Sequence, residues 1–297
     1  MRIVSLVPHA TELLFELGLG DQVVGVTHEC DYPEEAASLR HVTRDLLPAG
    51  LGHAEIDEAV RERMDRGEAI YALDEDLLAD LEPDLIVTQA LCAVCAVSYD
   101  DVRAIAERLD PSPKVISLDP KTLGETMGDI RTIAQATDSR DAALELVARQ
   151  RARIDKVKVA VRKAHRKSVV AVEWFEPVFI AGHWTPQMIE LAGGIDLLGF
   201  AGEKSEQLDW ATVTAAKPEV VLCIPCGYNA QQSLEHAELY ADQLRATGAR
   251  EIIALDASGY FSRPGPRLVD GLETLAHALH PDAVPEAPGE VLRLPLR

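Results

Sequence analysis

One four-part phrase occurs twice in this 297-residue chain. A helical pattern runs into Glu82-Pro83-Asp84, then the apolar run Leu85-Ile86-Val87-Thr88, then a loop with Cys92 and Cys95. Later a helical pattern runs into Lys217-Pro218-Glu219, then Val220-Val221-Leu222, then Cys223-Ile224-Pro225-Cys226. Proline stops a helix and biases the residue before it away from helical backbone. A short, unbroken apolar run reads as a strand buried on both faces. Such strands, alternating with helices, build parallel sheets with helical cover, so the phrase directs each half towards an α/β lobe. The repetition is one of structure rather than of residues.

The rest of the chain follows the same grammar. Ile3 to Val7 is an apolar strand, Pro8 to Glu12 a loop, and Leu13, Leu14 and Leu17 mark a helix closed by Gly18 and Gly20. Val23 to Thr27 is the next strand, leaving through His28-Glu29-Cys30-Asp31-Tyr32-Pro33. From Leu123 to His165 the pattern is helical and free of proline; Ser139 to His165 alone would span roughly 40 Å, long enough to bridge two lobes. Val169 to Val172 opens a second half, with a helix from Pro186 to Ala192 closed by Gly193-Gly194. Length alone exceeds what one core serves. The expected architecture is α/β: two Rossmann-like lobes, each a mainly parallel sheet flanked by helices, joined by one long helix. Its segments are an N-terminal lobe over 1–137, a linker helix over 138–166, a C-terminal lobe over 167–281 and a tail over 282–297.

Composition narrows function. A formal net charge of −20 disfavours nucleic acid and anionic membranes as partners, and the basic stretch Lys156 to Lys167 reads as an exposed helix face. No apolar run approaches twenty residues, so no membrane insertion is expected. Without a basic n-region and h-region at the start, the chain as given is expected to be cytoplasmic; with a leader removed it would be periplasmic or at the cell surface. No Walker-type loop, G-x-S-x-G elbow or H-E-x-x-H is present. No enzyme is expected and no catalytic residue is assigned.

All five cysteines, Cys30, Cys92, Cys95, Cys223 and Cys226, fall where a strand gives way to a loop, which is where open α/β sheets bind ligands. Three readings stand side by side. Cys92, Cys95, Cys223 and Cys226 could supply a four-thiolate zinc or iron site; one pair could be a redox disulfide; or the thiols are small apolar residues, buried or lining a common cleft. His9, His28 and His183 lie on strand-exit loops, where a neutral imidazole can ligate cobalt, iron or zinc. The other histidines read as surface or capping residues. Trp174, Phe175, Trp184, Tyr228, Tyr260 and Phe261 gather on predicted loops in a chain with only 5% aromatics, suiting the faces of a flat macrocycle. Arg263 and Arg267 suit anionic groups of a ligand.

Ser5-Leu6-Val7-Pro8-His9-Ala10-Thr11-Glu12, Cys30-Asp31-Tyr32-Pro33, Pro83-Asp84-Leu85-Ile86-Val87, Ala192-Gly193-Gly194 and Phe261-Ser262-Arg263-Pro264-Gly265-Pro266-Arg267 resemble, in order, motifs of the periplasmic-binding-protein family for vitamin B12 and ferric siderophores. The cobalamin-binding branch is nearest, and the resemblance runs to about His280. It implies two α/β lobes on one rigid helix, little hinge motion, and a metal chelate held in a shallow cleft. On that template the ligand-facing positions are Pro8, His9, Cys30, Asp31, Tyr32, Gln89 to Cys95, Trp174, Phe175, His183, Trp184, Cys223 to Tyr228, Tyr260 and Phe261, to which Arg263 is added. The resemblance also implies export and docking on an ABC-type permease through one acid per lobe. Asp76 suits the first position, whereas Ala211 stands at the second. The expected function is therefore a substrate-binding protein for a corrinoid such as cobalamin, or a similar metal chelate, with no intrinsic cofactor. The alternatives are a cytosolic protein binding zinc or iron through its cysteines and, third, a thiol redox protein.

Overall fold

The computed structural model describes residues 1–48, 50–90 and 97–296. The chain forms two compact units, Met1–Pro120 with Met127–Val147, and Lys121–Thr126 with Ala148–Arg297. In the first, the elements in order are β1 (Ile3–Ser5), α1 (Pro8–Glu16), β2 (Val23–Val26), β3 (Thr43–Asp45), α2 (His53–Asp65), β4 (Tyr71–Leu73), α3 (Glu75–Asp80), β5 (Leu85–Thr88), α4 (Tyr99–Ala106) and β6 (Lys114–Ser117). Every residue of β1 and β5 is buried, as expected of strands with helices on both faces. The sheet runs β2-β1-β5-β6, all parallel, and Val4, Leu6 and Ile86 pack on Leu78, Leu81, Val102 and Ile105. β3 and β4 pair as a separate antiparallel ribbon. The chain leaves β1 for β2 on one side and comes back to β5 on the other, so the strand order reverses between β1 and β5. A crevice at the carboxyl ends of those two strands is the place such a sheet offers a ligand.

The long helical stretch is two helices, α5 (Leu123–Thr137) and α6 (Arg140–Val161), with Asp138 in left-handed backbone at φ 54° between them. The division between the units falls inside both helices. α6 has 22 residues, about 33 Å at the helical rise. It stops short of His165 because the next residues are engaged elsewhere: the Arg166 guanidinium donates to the Gly194 carbonyl at 3.1 and 2.6 Å, and Lys167 already belongs to the following strand and pairs with Glu251. Near the middle of α6, Arg153 reaches α12 (Leu268–Leu279), donating to Asp270 at 2.5 Å and to both carboxylate oxygens of Glu273 at 2.7 and 3.0 Å. Those hydrogen bonds raise its already high pKa, with Glu273 contributing most.

The second unit is built on β7 (Lys167–Phe175), β8 (Val178–Ile180), α7 (Thr185–Leu191), β9 (Gly194–Asp196), β10 (Glu206–Gln207), α8 (Trp210–Ala216), β11 (Val220–Cys223), α9 (Ala230–Leu239), α10 (Ala241–Ala246), β12 (Glu251–Ala254), α11 (Ala257–Tyr260), α12 and β13 (Leu292–Arg293). Its sheet runs β10-β8-β7-β11-β12-β13, with β9 also on β7. β7, β9, β11 and β12 are mutually parallel where they pair, whereas β8, β10 and β13 are antiparallel. One edge of β7 serves two partners, β9 along its first residues and β8 along its last. Residues 282–297, expected as a tail, include β13, which pairs with β12 and brings Leu294 into the core.

The repeated phrase has one structure in both units. α3 and α8 are capped by Asp74 and Asp209, which accept from the amides of Leu77 at 2.9 Å and Thr212 at 2.6 Å. Each helix is followed by a residue in left-handed backbone, Glu82 at φ 42° and Lys217 at φ 49°, and then by the proline. The acid after the proline fastens two strand starts together: Asp84 accepts from the Arg2 amide at 2.7 Å, and Glu219 from the Ser168 amide at 3.0 Å. The Ser168 hydrogen bond holds the Glu219 carboxyl below its ordinary range. Left-handed backbone costs a residue with a β-carbon about 1–2 kcal/mol, part of which glycine recovers. Lys217→Gly is therefore expected to stabilise the fold by about 0.5 kcal/mol in urea unfolding; a loss would show that the Lys217 side chain holds the turn.

Candidate functional site

In the second unit the strand order reverses between β7 and β11, and the carboxyl ends of these strands carry Trp174 and the loop Ile224 to Tyr228. The loop is fastened on both sides. The Cys226 amide donates to the Glu173 carbonyl at 3.1 Å, and the Tyr228 carbonyl accepts from the amides of Ala257 and Ser258 at 2.9 and 3.0 Å. The Gly227 amide reaches the Ser262 hydroxyl at 3.3 Å. On this support the rings of Trp174 and Tyr228 stack at 6.3 Å and 23°, and those of Tyr228 and His236 at 4.6 Å and 27°. Burial pushes the Tyr228 phenol up and the His236 imidazole down, so both are neutral at pH 7. The result is a ladder of three uncharged rings with Cys226 exposed beside it. His236 was expected to be a surface or capping residue. An Asn229–Gln232 capping box starts α9 at Ala230, and the packing of that helix brings His236 onto Tyr228.

The other expected walls differ in burial. Phe175 is fully buried and stacks on Tyr240 at 5.1 Å and 7°. The Trp184 indole donates to the Phe261 carbonyl at 2.7 Å, and both side chains are buried. Tyr260 is half-buried, with Gly271 and Gly289 close against it. Cys223 is fully buried in the sheet core, where desolvation pushes its thiol far up. That is the opposite of what a thiolate ligand or a redox nucleophile requires, so Cys223 is corrected from metal and ligand residue to core residue. Cys223 is a free thiol. Cys30 is also buried, with its sulfur 3.0 Å from the Thr11 hydroxyl, which donates to Ser5 at 2.8 Å. Cys92 and Cys95 lie outside the described residues. Among the described residues no group of three or more His, Cys, Asp and Glu side chains could hold a metal ion.

His183 sits in left-handed backbone at φ 52°, held by its amide on the Glu203 carbonyl at 2.6 Å and by its carbonyl on the Gly202 amide at 2.8 Å. It is half-buried, and burial, with the charges of Lys204 and Lys121, keeps the imidazole neutral. Arg263 is half-buried on the loop before α12.

In the first unit, Pro8 occupies the first turn of α1 and His9 follows it, both buried, while Gln89 is buried just past β5. Asp31 and Tyr32 are exposed. The loop leaving β2 places the half-buried His28 against Thr43 and Tyr71. The His28 Nδ1 lies 2.7 Å from the Thr43 hydroxyl, and the imidazole and Tyr71 rings are 5.3 Å apart at 50°. Thr43 and Tyr71 come from the β3–β4 ribbon. Nothing in their sequence spacing announces that they meet the exit of β2.

Comparison with known proteins gives these positions a family context. The vitamin B12-binding protein of Vibrio cholerae is 22% identical over 277 residues, covering 92% of this chain and 86% of that protein. Among solved structures, the periplasmic vitamin B12-binding protein BtuF of Vibrio cholerae matches with a TM-score of 0.65 at 20% identity, covering 93% of this chain and 94% of that one. The periplasmic heme-binding protein RhuT of Roseiflexus sp. RS-1 matches with a TM-score of 0.68 at 26% identity, covering 95% and 98%. The family model described as periplasmic binding protein matches residues 3–258. With two α/β units, strand-exit loops bearing the candidate residues, and that match over most of its length, the chain belongs to the periplasmic binding protein family.

Proposed function

We propose that this protein binds a planar metal chelate of the corrinoid or heme class, as the solute-binding component of an ABC-type uptake system. The observation that carries this reading is the ladder Trp174–Tyr228–His236, three neutral rings brought together from β7, a braced loop and α9 beside a strand-order reversal. Neutral aromatic faces bury a flat conjugated macrocycle at small entropic cost. The names of the relatives agree in class: vitamin B12 for one, heme for another. The zinc or iron alternative loses Cys223 to the core, and the redox alternative loses it for the same reason. The family's periplasmic character leaves the cytoplasmic expectation without support, and no helix among the described residues is long and apolar enough to cross a membrane.

For the permease, α3 and α8 offer equivalent positions two residues beyond their capping aspartates. Asp76 is exposed at the first and Ala211 at the second. The permease is therefore met by a carboxylate from the first unit and by none at the matching place in the second.

Titration of the purified protein with cobalamin, cobinamide and hemin, followed by tryptophan fluorescence, tests the reading. Micromolar or tighter binding of at least one is expected, and Trp174→Ala should weaken it about tenfold, equivalent to about 1.4 kcal/mol. Stoichiometric zinc or iron in the purified protein, with no chelate bound, would sink the proposal.

A further inference from the structure

The formal charge of −20 averages over an uneven chain. From Arg149 to Lys167 nine side chains are Lys or Arg and one, Asp155, is acidic; the rest of the chain holds 20 basic against 48 acidic side chains. Most of this block lies on α6 and in the turn that closes it. Helical spacing sorts it into faces. Val157 and Val161 are buried, Gln150 is buried against Pro266, and Arg153 is tied to Asp270 and Glu273, so these positions mark the inner side. On the outer side Arg149 and Lys156 form one row and Arg151 and Lys158 another, each pair seven residues apart, about 10 Å along the axis. Ala148, Ala152, Asp155 and Val159 run between the rows. Arg162 and Lys163 carry the two rows into the closing turn. All of these outer residues are exposed, Val159 by 68%.

The needs of the fold do not account for these cations. Among the described residues Arg151, Lys156, Arg162 and Lys163 pair with no acid, and Lys158 pairs only with its neighbour Asp155, at 3.3 Å. The negative end of a helix dipole favours cations in the last turn, which leaves Arg149, Arg151 and Lys156 unexplained. The other acids of α6, Asp141 and Glu145, stand in its first two turns. The outer face from Arg149 to Lys163 is thus a straight strip about 20 Å long, apolar along most of its midline and cationic on both flanks. Helices that lie in a bilayer interface have this composition. Their apolar midline enters the boundary between headgroups and acyl chains, and Lys and Arg stems lie along it while their charges reach the phosphates. A nucleic acid would engage the cations but gain nothing from the exposed Val159. Since the rest of the chain is acidic, the field of an anionic bilayer turns this one face towards it.

We infer that the outer face of α6, from Arg149 to Lys163, is a docking surface for an anionic phospholipid bilayer, held by attraction to headgroup phosphates and by shallow burial of Val159. The contact is peripheral and reversible, needs no spanning segment, and is independent of what the protein carries.

Cosedimentation of the full chain with lipid vesicles is the test. In low salt the protein should pellet with vesicles of equal parts phosphatidylglycerol and phosphatidylcholine and stay in solution with phosphatidylcholine alone. Roughly 0.5 M NaCl, which shortens the screening length to a few ångströms, should release it. Arg151→Glu with Lys156→Glu should weaken vesicle binding about tenfold. Arg40→Glu with Arg131→Glu makes the same change of net charge at exposed positions of the first unit and should leave binding within about twofold. Val159→Ser should weaken vesicle binding about threefold by removing its apolar contact. If the charge reversal on α6 fails to fold by circular dichroism, Arg151→Gln with Lys156→Gln replaces it, with a loss of about threefold expected. Absence of pelleting by the wild-type protein in low salt overturns the assignment. So does an equal loss in Arg40→Glu with Arg131→Glu, or binding to duplex DNA through Arg151 and Lys156 that is tighter than binding to the anionic vesicles.

Discussion

Phe175→Ala lowers the unfolding free energy by about 3–5 kcal/mol, the range for truncating a buried aromatic, and leaves chelate affinity of the folded protein within about twofold. Its neighbour Trp174→Ala is expected to do the reverse. Phe175 is fully buried, flat against Tyr240, in a cluster with Val172, Val178 and Val213. Tyr240 is itself held by its hydroxyl on Glu176 at 2.8 Å; burial, together with that carboxylate, pushes the phenol up to about 12, so it stays a donor. A fixed neighbour cannot relax into the space a missing ring leaves, which favours the upper half of the range. Urea unfolding followed by circular dichroism, beside a fluorescence titration of each variant, separates the two effects. Unchanged stability with lost binding would return Phe175 to the ligand site.

Arg153→Ala is expected to cost about 2–3 kcal/mol. Breaking a fully buried ion pair costs about 3–5 kcal/mol, and the side chains of Arg153, Asp270 and Glu273 retain 29%, 27% and 21% exposure, which screens part of that. The variant leaves two carboxylates three residues apart on α12 with no cation between them. Arg153→Lys should fall in between, because an ammonium keeps the charge but not the fork that engages both acids. The triple variant Arg153→Ala, Asp270→Asn, Glu273→Gln should recover part of the loss. A urea midpoint within experimental error of wild type for Arg153→Ala would show that hydration replaces the bridge.

Much of the fold was readable because its signals are local. The prolines, the capping aspartates Asp74 and Asp209, and the apolar runs of β1, β5, β7 and β11 act within a few residues of themselves, and the two-unit α/β architecture follows from them. Which side chains reach a ligand was much less readable, since that depends on the face each residue takes. β7 shows why. Val170 and Val172 point into the core with the alternation of a strand, which would send Trp174 there next. The register against β8 shifts between Val172 and Trp174, a bulge that adds one residue and reverses the alternation. Phe175 therefore takes the core and Trp174 the other face, and no signal in Glu173-Trp174-Phe175 marks the change. For Cys223 the face again decides between the readings: as the last residue of β11 it shares the face of Val221, inside the cluster, which fits the buried-thiol reading and not the ligand one. The meetings of His28 with Thr43 and of Tyr228 with His236 depend on packing between separate elements, which spacing along the chain does not encode.

The small strand at the end of the chain bears on how the protein avoids its own kind. Ile252, Ile253 and Ala254 of β12 are all buried, so without β13 this strand would offer an apolar ribbon with a row of open backbone groups, a template on which another chain can build. In the first unit the corresponding outer strand, β6, begins with the exposed Lys114 and is only partly buried, features that discourage such pairing by themselves. β12 has no charge along its buried stretch to do so, and residues 292 and 293 cover it instead. The last few residues thus act as a guard against edge-to-edge aggregation.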